Sequence, residues 1–385
     1  MNKLYLPNLT ALRGIAALLV ATLHFHFFLG PVVPYGHSVL IDKFYLMVDL
    51  FFILSGFIIC YVYADTFAGG VSKRAYTSFL LARLARIYPL HVCALAGEFL
   101  IFLFISVSGK FAILAAGNQH LYRLDAIPVQ LTFLQTVGIY NFDTWNAPAW
   151  SLSAEWWAYV LFPVLFLCCR QLGCARWFIV SALAVAGWVL IEWYLAPLEP
   201  FLDRGPNPAH HSLDVNWHYG TLRGLCGFIA GISVWMLYQQ STFKAVLANV
   251  WVIAALALAA VLSMQFTDYD TLAAIVLAAL VLALAYGSPS VDRLFASGAL
   301  QAIGRWSFSI YMWHMVLIHV ILLPFILQRS EPIRGLLRPL KQGHYENVFY
   351  LIVFLTCTCF VGYCSYRFIE SPSRRWLRSR FAISH

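Results

Sequence analysis

Charge is what this chain has least of. Its 385 residues carry 17 Asp and Glu and 25 Lys and Arg, 11% together, against 61% hydrophobic residues. A soluble domain of this length cannot hide that much apolar surface, so soluble classes are excluded and a polytopic membrane protein is expected. Metal-ligand spacing is missing too. The cysteines fall mostly within apolar runs (Cys60, Cys93, Cys226, Cys357, Cys359, Cys364) and match no zinc pattern. His210, His211 and His218 lie in a Pro-rich segment without helical spacing, so no metal is expected there. There is no internal repeat, no low-complexity tract and no second soluble domain, and residues 1–385 read as a single membrane domain. No small-x-small cleavage site follows the first apolar run, which Arg13, His24 and His26 interrupt, so it reads as a retained helix and not a signal peptide. The net charge of +8 is spread over short loops and the tail, which suits an anionic membrane surface and not nucleic acid.

What is present is a series of ten apolar segments long enough to span: 9–29, 46–64, 84–106, 151–170, 175–195, 219–238, 247–265, 270–287, 304–327 and 347–369. The fold class is therefore all-α. An even count puts both termini on one side, and that side holds 16 Lys and Arg against nine on the other, so cytoplasmic termini are expected. The outward loops are then 107–149, 196–218 and 328–346. Within the first, Pro128 to Tyr140 is apolar but too short to cross, which predicts a re-entrant or interfacial piece.

The polar residues inside these segments carry the chemistry. Arg13 and His24 are eleven residues apart on the first helix, so they share a face and lie roughly 16 Å apart along the axis. Ala16, Ala17, Val20 and Ala21 between them are small and leave room for something thin along that face. Ionisable groups at such depth are costly and mark functional sites. Asp49 opens the second span at a depth similar to His24, where a carboxylate beside an imidazole would fix its tautomer. Ser151 and Glu155 share a face at the start of the fourth span, next to Trp150. Arg83 and Arg86 share a face of the third, just before Tyr88 and Pro89, and Arg13 and Arg305 are expected at similar depth with Arg74 nearby. Guanidinium forks in such numbers suit phosphates. The ninth span carries His314 near mid-membrane and His319 beyond it.

Together these residues resemble the acyltransferase type 3 membrane family, which acylates sugars of bacterial surface glycans and some small molecules. The matching stretches are Arg13-x10-His24, VDLFFILSGF at 48–57, Arg83-x-x-Arg86, WSLSAEWWAY at 150–159, GRWSFSIYMWH at 304–314 and FIESPSRRW at 368–376, in order across almost the whole length. Met47 departs from the pattern, since the family commonly has Gly there. Without an appended esterase-like domain, the chain looks like a stand-alone member. The resemblance implies His24 as general base, Arg13, Arg83 and Arg86 as donor-binding residues, and cytoplasmic acyl-CoA, acetyl-CoA by default, as co-substrate with no permanently bound cofactor.

The expectation is a multi-pass O-acyltransferase of the bacterial inner membrane, acting on a cell-envelope saccharide or lipid-linked saccharide. His24, Asp49 and Glu155 are its expected catalytic residues. Arg13, Arg83, Arg86 and Arg305 hold the donor at the cytoplasmic side, and Trp150, Ser151 and His314 the acceptor, with Glu155 beside them in the outer half. The competing class is a proton-coupled transporter, because intramembrane His, Asp and Glu also build proton relays. Its usual signature, interrupted helices in two repeated halves, is absent from the sequence.

Overall fold

The computed structural model describes residues 5–34, 37–109, 120–172, 175–200, 210–326 and 344–380. Among them every regular element is helical and there is no strand. Ten long helices order the chain: α1 (Pro7–Phe28), α2 (Leu46–Phe67), α3 (Lys73–Val107), α4 (Trp150–Arg170), α5 (Arg176–Leu190), α6 (Gly220–Gln240), α7 (Val250–Phe266), α8 (Asp270–Tyr286), α9 (Gly298–Ile326) and α10 (His344–Ser365). Each segment read as apolar is thus a helix. Their capacity to span differs: among the described residues eight are long and apolar enough, and a ninth counts if α8 and Pro289–Phe295, bent by 96°, are taken as one broken span. The difference from ten lies in α7 and α8, of 17 residues each. At 1.5 Å per residue such a helix reaches about 26 Å, short of a ~30 Å hydrocarbon core.

The 328–346 loop falls outside the described residues except for the helical start of α10, as do Lys3, Lys110, Arg204, Arg329, Arg334, Arg338 and Lys341 of the charge tally. The Pro128 to Tyr140 stretch folds as one short helix, Ile127–Leu131, followed by turns.

Without a hydrophobic force between lipid-bathed helices, close association needs small residues, and glycines supply it at two crossings. A Cβ on Gly304 of α9 would stand 2.2 Å from the Thr10 carbonyl oxygen of α1, and one on Gly14 of α1 would stand 2.7 Å from the Gly304 nitrogen. Where α2 meets α6, a Cβ on Gly56 would lie 2.0 Å from the Phe228 oxygen, and one on Gly231 would lie 2.1 Å from the Ile53 oxygen. These backbone-to-backbone contacts fix the pairs α1–α9 and α2–α6, with α3 and α4 packed against them.

Buried carboxylates hold the loops to this frame. Glu192 accepts the N–H groups of Asp270 and Thr271, satisfying the start of α8. Asp270 accepts from Lys43, Tyr45, Ser212 and the Leu213 N–H. Glu199 gathers three backbone N–H groups, those of Asn216, Trp217 and His218, just ahead of α6.

Candidate functional site

A cavity opens among α1, α2, α3, α4 and α9. Helical periodicity puts its lining on single faces. α2 contributes Val48, Phe52, Ser55 and Ile59; α3 contributes Arg83 and Arg86; α4 contributes Ser151, Glu155 and Tyr159; α9 contributes Ser307, Phe308 and Tyr311; and Arg13 closes it from α1. Arg83 Nη2 donates to the Tyr63 hydroxyl at 3.1 Å, its guanidinium lies 5.2 Å from the Tyr63 ring centre, and its Nε is buried without a partner. Arg13 and Arg86 have no hydrogen-bond or ion-pair partner among the described residues. Glu155 Oε1 accepts from Ser55 Oγ at 2.7 Å and from the Tyr159 hydroxyl. Three guanidiniums line this chamber with one carboxylate, and Glu370 lies near Arg86 and Arg13; the three forks outnumber the two carboxylates and have the chemistry to hold an anion with several oxygens.

The arrangement departs from the sequence reading in four places. Glu155, expected with the acceptor, shares the arginine cavity. α3 has 35 residues, so Arg83 and Arg86 stand roughly 15–20 Å along it and meet the first turns of α4 inside the bundle. Arg305, expected beside them, is exposed and outside the cavity lining. It precedes Ser307 by two residues, about 200° round the helix from the lining face. The small face of α1 is not a channel: Ala16, Ala17, Val20 and Ala21 are at most 1% exposed and pack in the core.

The fourth is Asp49. It does not touch His24. Both its oxygens are taken by Arg223 of α6, with Nη2 at 2.7 Å from Oδ2 and Nε at 3.1 Å from Oδ1, and both side chains are fully buried. Arg223 also reaches Asp214 at 3.2 Å and the Tyr45 carbonyl, and lies 5.1 Å from the Trp150 ring centre. Depth on neighbouring helices does not specify azimuth, and the pair chose another partner. From the sequence, Arg223 counts only as one of the nine Lys and Arg on the outward side. Its signal was there: an Arg in the first turn of an apolar helix needs a counter-charge.

His24 and His314 do come together. His24 Nδ1 lies 2.9 Å from the Val20 carbonyl and 3.3 Å from His314 Nε2, and the ring centres are 4.9 Å apart. His314 Nδ1 lies 2.6 Å from the Tyr311 carbonyl. Carbonyl oxygens only accept, so both Nδ1 atoms carry the proton, and His24 keeps a basic lone pair on Nε2. The Tyr311 hydroxyl bonds Ser151 Oγ at 2.8 Å and the Pro148 carbonyl at 3.2 Å. Tyr311 and Ser151 line the cavity, whereas His24 does not. The imidazole pair therefore sits behind Tyr311. A second buried pair that sequence reading missed joins His319 Nδ1 to Glu98 at 2.8 Å, with the Tyr122 hydroxyl on the same carboxylate.

A family model described as an acyltransferase domain matches residues 6–367. The acyltransferase MdmB of Streptomyces mycarofaciens is 27% identical over 323 residues, which cover 81% of this chain and 79% of that protein. Protein 2 in the picA locus of Rhizobium radiobacter is 34% identical over 158 residues, 38% of this chain and 75% of that protein. The putative peptidoglycan O-acetyltransferase YrhL of Bacillus subtilis (strain 168) is 23% identical over 397 aligned positions, 96% of this chain but 55% of its own length. No solved structure matches the chain.

Proposed function

This chain belongs to the acyltransferase family, a multi-pass membrane enzyme that moves acyl groups, and on that premise we propose that it carries an acyl group, acetyl by default, from cytoplasmic acyl-CoA to a hydroxyl of a cell-envelope saccharide. The observation that carries the donor assignment is the cavity lined by Arg13, Arg83 and Arg86, of which Arg13 and Arg86 have no hydrogen-bond or ion-pair partner among the described residues. Three planar forks are matched to the phosphates of CoA. Glu155, fixed by Ser55 and Tyr159, accepts from the amide N–H groups of the pantetheine arm. The termini and the 68–72 loop lie in the cytoplasm, and the membrane is the bacterial inner membrane.

His24 acts as the general base through Nε2. The saccharide hydroxyl gives its proton to Nε2 while its oxygen attacks the thioester carbonyl; the C–S bond breaks, and the thiolate recovers the proton from the imidazolium. No proton is gained or lost overall. Donating to the Val20 carbonyl and to His314 Nε2, the Nδ1–H stabilises the positive charge that builds on His24 in the transition state. His314 is a positioning residue in this scheme, and Tyr311 is the side chain that moves aside to let the thioester reach the imidazole. The Asp49–Arg223 pair holds α2 to α6 behind the cavity.

Membranes containing the protein, given acetyl-CoA labelled in the acetyl group, test this directly. Label is expected in a saccharide fraction and is expected to disappear with His24→Ala. Label that stays in the aqueous thioester pool, with intact protein and cell-envelope acceptor present, overturns the proposal.

A further inference from the structure

The chain turns at 68–72 between α2 and α3, and both sides of that turn are tied down. Ser72 caps α3, its Oγ accepting the Ala75 N–H at 3.2 Å. Arg170, at the end of α4, donates to the Ala68 carbonyl. Phe79 packs edge-on against Tyr63 and Phe67, with ring centres 4.9 and 5.7 Å apart. Beside these rings the two helix ends leave a cavity of about 240 Å³, lined by Tyr63, Thr66, Ser72, Arg74, Ser78 and Phe79 among others.

This cavity adjoins the arginine chamber. Phe52, Ser55 and Ile59 line the chamber, Tyr63 and Thr66 line the cavity, and their i, i+3 and i+4 spacing puts all five on one face of α2. Phe79, Arg83 and Arg86 share a face of α3 in the same way. At the join, Arg83 Nη2 donates to the Tyr63 hydroxyl at 3.1 Å.

Size and charge then divide a long anionic ligand between the two spaces. The chamber holds about 80 Å³, room for phosphate groups or a thin chain but not for a ribose and base as well. The adjoining cavity is larger and no carboxylate lines it. Arg74 is the one charged side chain of its lining, with the hydroxyls of Thr66, Ser72 and Ser78 around it. The Arg74 guanidinium is exposed and has no hydrogen-bond, ion-pair or ring partner among the described residues. Asp65 and Lys73, the other charged residues of these two helix ends, are exposed and stand outside the lining. Nine residues put Arg74 about 13.5 Å from Arg83 along α3 and half a turn round it, so the two meet different groups of one ligand.

We propose that this cavity is the nucleotide-end subsite of the donor, where Arg74, with the Thr66 and Ser78 hydroxyls beside it, takes the 3′-phosphate of the CoA ribose while the chamber arginines take the pyrophosphate. The inference rests on the acyl-transfer reading, which puts this end of the bundle in the cytoplasm and makes acyl-CoA the donor. An anionic lipid headgroup offers Arg74 the same phosphate chemistry, so the test separates the two sources.

The full chain, purified in detergent, is titrated calorimetrically with CoA and with 3′-dephospho-CoA, which lacks only that phosphate. The natural chain is expected to bind CoA about 3–10-fold more tightly, less than a buried contact gives because Arg74 is exposed. Arg74→Ala is expected to remove the preference by weakening CoA alone, and Arg74→Lys to keep part of it. Arg86→Ala is expected to weaken both ligands with the preference intact. Melting curves of the Arg74 variants are expected to match the natural chain. Equal affinity for the two ligands in the natural chain, or a preference unmoved by Arg74→Ala, overturns the subsite. Phosphatidylglycerol added to the micelles is expected to leave the preference standing; a preference that vanishes gives Arg74 to lipid headgroups and overturns the subsite too. Acetyl transfer read in the same preparations keeps the two readings apart. CoA bound without preference, with transfer to saccharide intact, sinks the subsite and spares the enzyme. No CoA bound sinks the donor assignment and the subsite with it, whereas a preference for CoA without any transfer sinks the enzyme reading alone.

Discussion

Arg223 and Asp49, from helices four positions apart in chain order, form a fork in which Nη2 stands 2.7 Å from Oδ2 and neither side chain is exposed. Removing one member of such a pair leaves the other charge buried alone, a loss of about 3–5 kcal/mol. Arg223→Ala and Asp49→Ala are therefore expected to lower the melting temperature and the yield of folded protein steeply. Asp49→Asn, which keeps the shape and one acceptor, is expected to lose less. Thermal unfolding in detergent, read beside activity per folded molecule, is the measurement. An Asp49→Asn protein with full thermal stability and a hundredfold loss in kcat would place Asp49 in the chemistry and not in the frame.

The histidine pair makes a second prediction. His24→Ala removes the base and is expected to cost about 10²–10⁴-fold in kcat with donor binding intact. His314→Gln can still offer an oxygen to the His24 Nδ1–H, while His314→Leu cannot. The Gln variant is expected to keep several-fold more kcat than the Leu variant, with donor KM the same in both. Equal kcat in the two would mean that the Val20 carbonyl alone holds His24.

Much of this site was legible because helical spacing is a local property. Arg83 with Arg86, and Ser151 with Glu155, face one cavity as i, i+3 and i, i+4 pairs must. Which helix turns toward which is not local. Asp49 was placed beside His24 on depth alone, and its true partner, Arg223, lies 174 residues away. The same limit put Glu155 and the arginines on opposite faces of the membrane, since nothing in the sequence tells how far the 35 residues of α3 extend below the bundle. Arg305 was misplaced by depth where azimuth decided. The count of about ten spans and the eight or nine helices long and apolar enough among the described residues differ where hydropathy is strong and length is short, at α7, and at α8 unless its bent continuation is counted.

The arginines differ in their expected failures. Arg83→Ala or Arg86→Ala removes a charge-assisted contact to a CoA phosphate, worth about 1.5–3 kcal/mol, and is expected to raise the donor KM roughly 10–150-fold. Arg13→Lys keeps charge and loses the fork, so a donor KM effect of the same sense but smaller size is expected. Arg305→Ala is expected to leave donor KM within twofold, because the side chain is exposed and outside the cavity lining. Steady-state kinetics with acyl-CoA varied at fixed acceptor checks all four, and a donor KM raised more by Arg305→Ala than by Arg86→Ala would contradict the assignment.

The last prediction turns on the pH response of Asp143, which lies in a loop outside the spanning helices. Burial pushes its carboxyl up to about 6, the Trp217 indole N–H opposes that, and the charges of Asp214 and Glu199 add to it. Of the cations around it, Arg123, which stands over the Tyr140 and Phe142 rings, is paired with Asp125, and Arg223 is engaged with Asp49 and Asp214. In the unfolded chain the same group titrates near 3.8. The folded protein thus holds this proton more tightly, so the stability it contributes is complete below about 4, declines as pH rises through about 6, and is absent above. Replacing the carboxylate by an amide removes that decline while keeping an oxygen for the Trp217 indole. Asp143→Asn is therefore expected to gain stability over the natural chain at pH 8, on the order of 1–2 kcal/mol once the solvent reaching the loop is discounted, and to gain almost none near pH 4. Melting curves of the two proteins at pH 8, 6 and 4.5 read the difference. A gap that stays constant across the three would show that Asp143 ionises as freely in the fold as in water, and a gap that widens toward acid would reverse the sign of the argument.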